Sequence, residues 1–230
     1  MGRPTSNYGR VSIRIAILLS GRHGRGSNMQ AIARACAEGR VDGSIVLVVG
    51  NHADSPALAR ARDWGLPART LPSPPKTAAP EEETAYTHRL QAILDDSAPD
   101  LVCLTGYLRR LPTAIVRAYA GRVMNTHPAL LPAFGGRGMY GTHVHQAALD
   151  CGVKVSGCTV HFVDESYDTG PIILQSVVAV EDDDTPETLA ARVLTAEHEA
   201  YPRAVALFAA GRLRLEGRRV LTSPPAPDPS

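Results

Sequence analysis

Short apolar runs alternate with segments whose apolar residues recur every three or four positions, and this alternation governs the first 125 residues. Ile13-Arg-Ile-Ala-Ile-Leu-Leu19, bounded by Ser20-Gly21, predicts a strand, and Met29, Ile32, Ala33 and Cys36 then fall at helical spacing. Ile45-Val-Leu-Val-Val49 is a near-continuous apolar run, as expected of a strand covered on both faces. Asp54 is placed to cap a helix that runs to about Trp64 and ends at Gly65. Residues 66–71 predict a short strand, 72–80 a proline-rich surface loop, and 81–95 a further helix. Residues 101–104 and 122–125 supply two more strands. This β-α-β-α order predicts an α/β chain with a doubly wound, Rossmann-like, mostly parallel sheet in a single domain.

The pattern changes after residue 140. A helix near residues 143–150 precedes two strand-like runs, 153–163 and 172–180, joined by a short loop that carries Asp168. That spacing predicts an antiparallel hairpin on the sheet edge. Asp184-Thr-Pro186 starts a last long helix, with Pro186 in its first turn, and Pro202 is expected to break or kink it. The folded unit is expected to span 13–217, between a flexible stretch 1–12 and a disordered proline-rich tail 218–230.

A chain of 230 residues, 44% of them hydrophobic, can bury one substantial core. Lys and Arg number 24 against 23 Asp and Glu, so nothing in the charge suggests nucleic acid or an anionic membrane as the main partner. No apolar run approaches the ~20 residues that span a bilayer. The four cysteines (Cys36, Cys103, Cys151, Cys158) show no Cys-x-x-Cys spacing, which fits reduced core thiols in a cytoplasmic protein. His143 and His145 have no third ligand at a suitable spacing, so no metal is expected.

Two segments carry candidate chemistry. Ser20-Gly-Arg-His-Gly-Arg-Gly-Ser-Asn28 lies between the first strand and the first helix, where glycine-freed N–H groups make a natural phosphate cradle. It has neither the dinucleotide fingerprint nor a P-loop ending, so a phosphomonoester fits better than a dinucleotide or triphosphate. Asn125-Thr-His-Pro-Ala-Leu-Leu-Pro132 places Asn125 and His127 two apart, on one face of an extended segment that its prolines keep from being helical. With Asp168 they form an amide donor, an imidazole and a carboxylate. Jointly these suggest acyl transfer: Asn125 donating to an oxyanion, His127 moving a proton, Asp168 orienting the imidazole. The motif contains no Ser or Cys as an evident nucleophile, so direct attack by a substrate amine is the economical route.

Ser20-Gly…Gly-Ser-Asn-Met-Gln, Asp100-Leu-Val-Cys-Leu-Thr-Gly-Tyr-Leu-Arg109, Met124-Asn-Thr-His-Pro-Ala-Leu-Leu-Pro132 and Asp168-Thr-Gly-Pro-Ile-Ile together resemble the folate-dependent phosphoribosylglycinamide formyltransferases of purine synthesis, from about Arg14 to about Leu215. The resemblance implies that 13–217 is a formyltransferase catalytic domain, a monomer or homodimer. It implies attack by the amine of glycinamide ribonucleotide on the formyl carbon of 10-formyltetrahydrofolate, with no metal. Asn125, His127 and Asp168 match the family's catalytic trio. Gly26, Ser27 and Asn28 match its ribonucleotide phosphate site, and Glu197 a carboxylate that holds the glycinamide end. The folate site would fall on Leu108, Arg109, Arg110 and Leu111 with Asp164, Glu165, Ser166 and Tyr167, largely through backbone.

Three features depart from that family. The phosphate loop is three residues longer, Phe134-Gly-Gly-Arg-Gly-Met-Tyr-Gly141 is also longer, and Glu81-Glu-Glu-Thr-Ala-Tyr86 stands where many relatives have an arginine near the folate. Rival readings are a formyltetrahydrofolate hydrolase, a methionyl-tRNA formyltransferase, and a non-catalytic nucleotide-binding module. The first normally carries an extra regulatory domain before the first strand. The second needs a basic C-terminal domain. The third leaves the Asn-x-His and Asp arrangement unexplained.

Overall fold

The strand β1 (Ile13–Leu19) lies in the interior of the sheet, and its side chains alternate strictly between the two faces. Ile15, Ile17 and Leu19 enter one apolar cluster, while Ala16 and Leu18 enter another on the opposite side. This is the burial expected of a strand covered on both faces. The computed structural model describes residues 12–21, 25–75 and 77–224. The stretch 1–12, apart from Ser12, residues 22–24 of the glycine-rich loop, and 225–230 of the expected tail lie outside the described residues.

The elements that follow are α1 (Ser27–Ala37), β2 (Gly43–Gly50), α2 (Pro56–Asp63), β3 (Ala68–Thr70), α3 (Pro80–Ser97), β4 (Leu101–Leu104), α4 (Thr113–Ala118) and β5 (Val123–His127). The second half adds α5 (Thr142–Asp150), β6 (Val155–Phe162), β7 (Ile172–Ala179), α6 (Pro186–Ala209), β8 (Leu213–Glu216) and β9 (Arg219–Thr222). Strand order in the main sheet is β3-β2-β1-β4-β5-β6-β7. β1 to β5 run parallel, and β6 and β7 add antiparallel pairings, as the edge hairpin predicted. Helices α1, α2 and α6 cover one face and α3 and α4 the other.

The order in which strands are added reverses between the parallel neighbours β1 and β4, so the loops after these two strands open a crevice at their carboxyl ends, where ligands of doubly wound sheets bind. The helix α6 is fastened beside this crevice, across β4 and β5. Tyr201 is fully buried, and its hydroxyl hydrogen is shared between the carbonyls of Leu104 (3.1 Å) on β4 and Met124 (2.8 Å) on β5.

Several expectations need correction. The α2 N-cap is Ser55, with Pro56 at the first helical position, one residue beyond the expected Asp54. Pro202 does not end α6, which runs on to Ala209. Proline removes one backbone bond there at a cost of about 3 kcal/mol, but Ala200, Tyr201, Ala204 and Val205 are all buried around it and hold both halves against the sheet. The expected tail is ordered further than the sequence suggested. Arg219–Thr222 pairs antiparallel with Leu213–Glu216, and Gly217 takes the positive φ (59°) that the tight turn requires.

Candidate active site

The glycine-rich loop reaches α1 through Gly26, which caps the helix in the left-handed region (φ 64°). A Cβ there would lie 2.8 Å from the Ala57 Cβ, so both backbone and space demand glycine. The first-turn N–H groups of α1 lack intrahelical partners and carry the positive end of the helix dipole. They border a cavity of about 150 Å³ lined by Ser20, Arg25, Gly26, Ser27 and Asn28 from the β1 side and Thr105 and Gly106 from the β4 loop. The cavity therefore lies in the crevice described above, and its donors suit a phosphate.

Asn28 has a second task. Its Nδ2 donates to Glu197 Oε2 at 3.0 Å, and the Thr126 hydroxyl donates to Glu197 Oε1 at 3.2 Å. Glu197 is buried on α6, and burial pushes its carboxyl above the usual glutamate range although both hydrogen bonds oppose the shift. The Asn28 Oδ1 is buried with no protein partner. The first turn of α1, α6 and β5 thus converge on one carboxylate.

On β5, Thr126 turns to Glu197, whereas its neighbours turn the other way, His127 toward Asp168 and Asn125 toward His161. His127 Nδ1 lies 3.5 Å from Asp168 Oδ2, and His127 Nε2 donates to the Phe134 carbonyl at 2.8 Å. The loop after His127 is shaped from β6. The Thr159 hydroxyl donates to the Ala129 carbonyl (2.6 Å) and accepts from the Leu131 N–H (3.0 Å). Gln175 Nε2 adds a bond to the Leu131 carbonyl at 2.9 Å. The loop 134–141 then comes back to the trio, and the Gly136 N–H donates to Asp168 Oδ2 at 2.9 Å.

Two histidines outside the predicted set belong to this cluster. His161 on β6 is the register partner of Asn125. Its Nδ1 faces the Phe162 carbonyl at 2.8 Å and must carry a proton, so Nε2 accepts from Asn125 Nδ2 at 3.2 Å. Burial lowers the His161 pKa, which keeps the ring neutral in that role. The second N–H of the Asn125 amide is left to donate elsewhere. His145 on α5 is buried, its Nδ1 has no protein partner, and burial, then the nearby His127, lower its pKa. Only a cross-strand register reveals His161, so no local signal could have identified it. His145 was visible only as half of the pair His143 and His145.

The expected folate residues lie on two loops, the second of which is tied to α4 by an ion pair, Arg117 Nε to Glu165 Oε1 at 2.8 Å. Leu108 and Tyr167 are exposed apolar surfaces on these loops. The Leu111 side chain is buried in the core against α4, which leaves only its backbone for a ligand. The Leu108 N–H already donates to Ser20 Oγ at 2.7 Å. Arg109 does not point free: its guanidinium donates to both Glu83 carboxylate oxygens and to the Pro74 carbonyl, and stacks over Tyr86. The acidic start of α3 is thereby answered by Arg109. Asp164 accepts from the Ser166 N–H and the Thr169 hydroxyl, giving the second loop its shape, and Arg110 is exposed.

The buried thiols are poor nucleophiles. Burial pushes Cys103 and Cys158 up to about 12, so neither is a thiolate near neutral pH. Among the described residues no group of three His, Cys, Asp or Glu side chains could hold a metal ion, and no helix is long and apolar enough to cross a membrane. The cluster holds an amide donor, a carboxylate beside an imidazole, and a buried carboxylate one strand residue away. That set can stabilise an oxyanion, relay a proton and hold a cation.

The sequence matches the formyl transferase family over residues 13–205. The chain belongs to the formyl transferase family. It is 41% identical over 201 residues to the phosphoribosylglycinamide formyltransferase of Escherichia coli (strain K12), covering 87% of this chain and 89% of that protein. The chloroplastic phosphoribosylglycinamide formyltransferase of Arabidopsis thaliana is also 41% identical, over 87% of this chain and 67% of its own length. Among solved structures, a glycinamide ribonucleotide transformylase 1 from Symbiobacterium toebii superposes with a TM-score of 0.84 at 43% identity, covering 95% of this chain and 98% of that one. The formyl transferase fold thus accounts for the sheet order and the edge hairpin alike.

One further constraint lies beside Asp168. A Cβ on Gly170 would fall 1.7 Å from the Phe162 carbonyl oxygen, a backbone atom with little room to move. Gly170→Ala is expected to destabilise the fold by about 2–3 kcal/mol, as overpacking does, and to lower activity with it. Denaturant unfolding measures the first effect, and an unchanged midpoint would contradict the close approach.

Proposed function

We propose that this chain transfers the formyl group of 10-formyltetrahydrofolate to the amine of glycinamide ribonucleotide in purine biosynthesis. The observation that carries this reading is the Glu197 bridge. It joins the phosphate cradle, through Asn28, to the strand that bears Asn125 and His127, through Thr126. An acceptor with a phosphate at one end and a protonated amine at the other would span that distance. The relatives named above, together with the fold they share, support the same acceptor.

In this mechanism Gly26, Ser27 and Asn28 hold the phosphate, and Glu197 receives the ammonium end of the glycinamide. The donor's pterin lies against Leu108, Arg109, Arg110 and Leu111 and the loop Asp164, Glu165, Ser166 and Tyr167. The bound ammonium first loses one proton to solvent, the free amine then attacks the formyl carbon, and the developing oxyanion takes the N–H of Asn125 that His161 does not use. His127, with Asp168 beside it, carries the proton from the attacking amine to the departing folate nitrogen. Asp168 steadies the imidazolium while it holds both protons. The chain acts on small molecules, as a cytoplasmic enzyme.

The deciding experiment is an absorbance assay of 10-formylfolate deformylation with and without glycinamide ribonucleotide. Turnover that requires the ribonucleotide is expected. Equal turnover without it would make the chain a formyltetrahydrofolate hydrolase, and none in either case would sink catalysis on this donor. The double substitution Ser27→Ala with Asn28→Ala should weaken ribonucleotide binding about 10- to 100-fold, the scale of one or two lost bonds to a charged group. Donor affinity should hold, and calorimetric titration of each ligand would test this. Equal losses for both would argue against the cradle.

A further inference from the structure

The C-terminal hairpin touches the loop that carries Asp168. β8 and β9 dock on the α1/α6 side of the core through Leu213 and Val220. The turn between them presents Arg218, whose Nη2 donates to the main-chain carbonyl of Thr169 at 2.6 Å. Thr169 directly follows Asp168 in the chain.

The loop is held from inside and from outside. Inside, the Thr169 hydroxyl donates to the two carboxylate oxygens of Asp164 at 2.7 and 2.8 Å, and the Ser166 N–H donates to Asp164 Oδ1 at 3.0 Å. Outside, Arg117 pairs with Glu165, three residues before Asp168, and Arg218 grips the adjacent peptide. Asp168 itself sits at φ 55°, a left-handed conformation that a non-glycine residue keeps only when its surroundings fix it. Its Oδ2 must also stay on the Gly136 N–H and 3.5 Å from His127 Nδ1. A tether one peptide away controls that placement more directly than one at the far end of the loop.

We propose that Arg218 is a positioning residue for Asp168, so that the hairpin after α6 serves the reaction without touching a reacting group. This rests on the role given to Asp168 under the proposed function. A carboxylate displaced by a fraction of an ångström loses much of its value to the imidazole, while substrates held by other elements bind as before.

The test compares Arg218→Ala, Arg218→Lys and Arg214→Ala by steady-state kinetics with both substrates and by thermal melting. Arg214 lies on the same hairpin, paired with Glu216 at 2.6 Å, and serves as the control. Arg218→Ala should lower kcat by about 5- to 20-fold with the ribonucleotide KM and the melting temperature nearly unchanged. Lysine, which can still donate one bond, should recover part of the loss, and Arg214→Ala should match the parent enzyme. If Arg218→Ala keeps kcat within about twofold of an active parent, the positioning role is overturned. A loss that follows a lowered melting temperature and that lysine does not relieve overturns it too, since the hairpin would then serve stability alone. A parent enzyme inactive with both substrates present brings down the proposed function and the Arg218 role together.

Discussion

His127→Ala should lower kcat at least about 100-fold, as loss of an acid–base group does, while the affinities for both substrates stay near those of the parent. The ring is 4% exposed, with Nε2 held by the Phe134 carbonyl and Nδ1 facing Asp168 at 3.5 Å. Phosphate and ammonium recognition belong to other elements, α1 and α6, so truncating the ring should leave binding in place. Steady-state kinetics paired with calorimetric titration separates the two quantities. A parent-like kcat would remove His127 from the chemistry, and a collapse of both affinities would make it a structural residue.

Replacing Glu197 with glutamine should have the opposite signature. Without its charge the acceptor amine loses a buried ionic partner, and the ribonucleotide KM should rise by about 30-fold or more, the scale of a charged hydrogen bond. Stability should move the other way. The buried carboxylate has a raised pKa, so its charged form is penalised in the folded state. That penalty is fully present above the raised value and fades as pH falls toward the ordinary glutamate range. Glu197→Gln should therefore melt higher than the parent near neutral pH, with the gap closing in acid. A lower melting temperature at neutral pH would show that the hydrogen bonds from Asn28 and Thr126 outweigh the desolvation they offset.

Much of this architecture can be read from local signals. Apolar runs such as Ile13 to Leu19 and the helical spacing from Met29 to Cys36 state their own period, and period decides which face a side chain joins. The pair Asn125 and His127 follows from the same rule. What escaped was set by contacts between distant segments. His161 meets Asn125 only because β6 runs antiparallel to β5 in one particular register. Pro202 stays helical because packing on both sides outweighs a local cost. The resemblance sets Arg109 in the folate site, and its guanidinium is claimed by Glu83, 26 residues earlier, a contact no local pattern announces. The terminal hairpin is different: Leu213-Arg-Leu-Glu-Gly-Arg-Arg-Val-Leu221 contains alternation and a central glycine, the ordinary marks of a tight turn. Its proline-rich neighbour obscured a signal that was present.

Glu197 and Tyr201 lie one helical turn apart on α6, and the tyrosine hydroxyl is bolted to main-chain oxygens of β4 and β5. The carboxylate therefore behaves as a fixed stop on a ruler whose other marks, Asn125 and His127, are cut into the same sheet. Lengthening the glycine-rich loop or the 134–141 loop can alter how ligands enter and leave. It cannot change the gap between the stop and the marks. Divergence in this chain is thus free to reshape the approaches to the reaction while its reach stays constant.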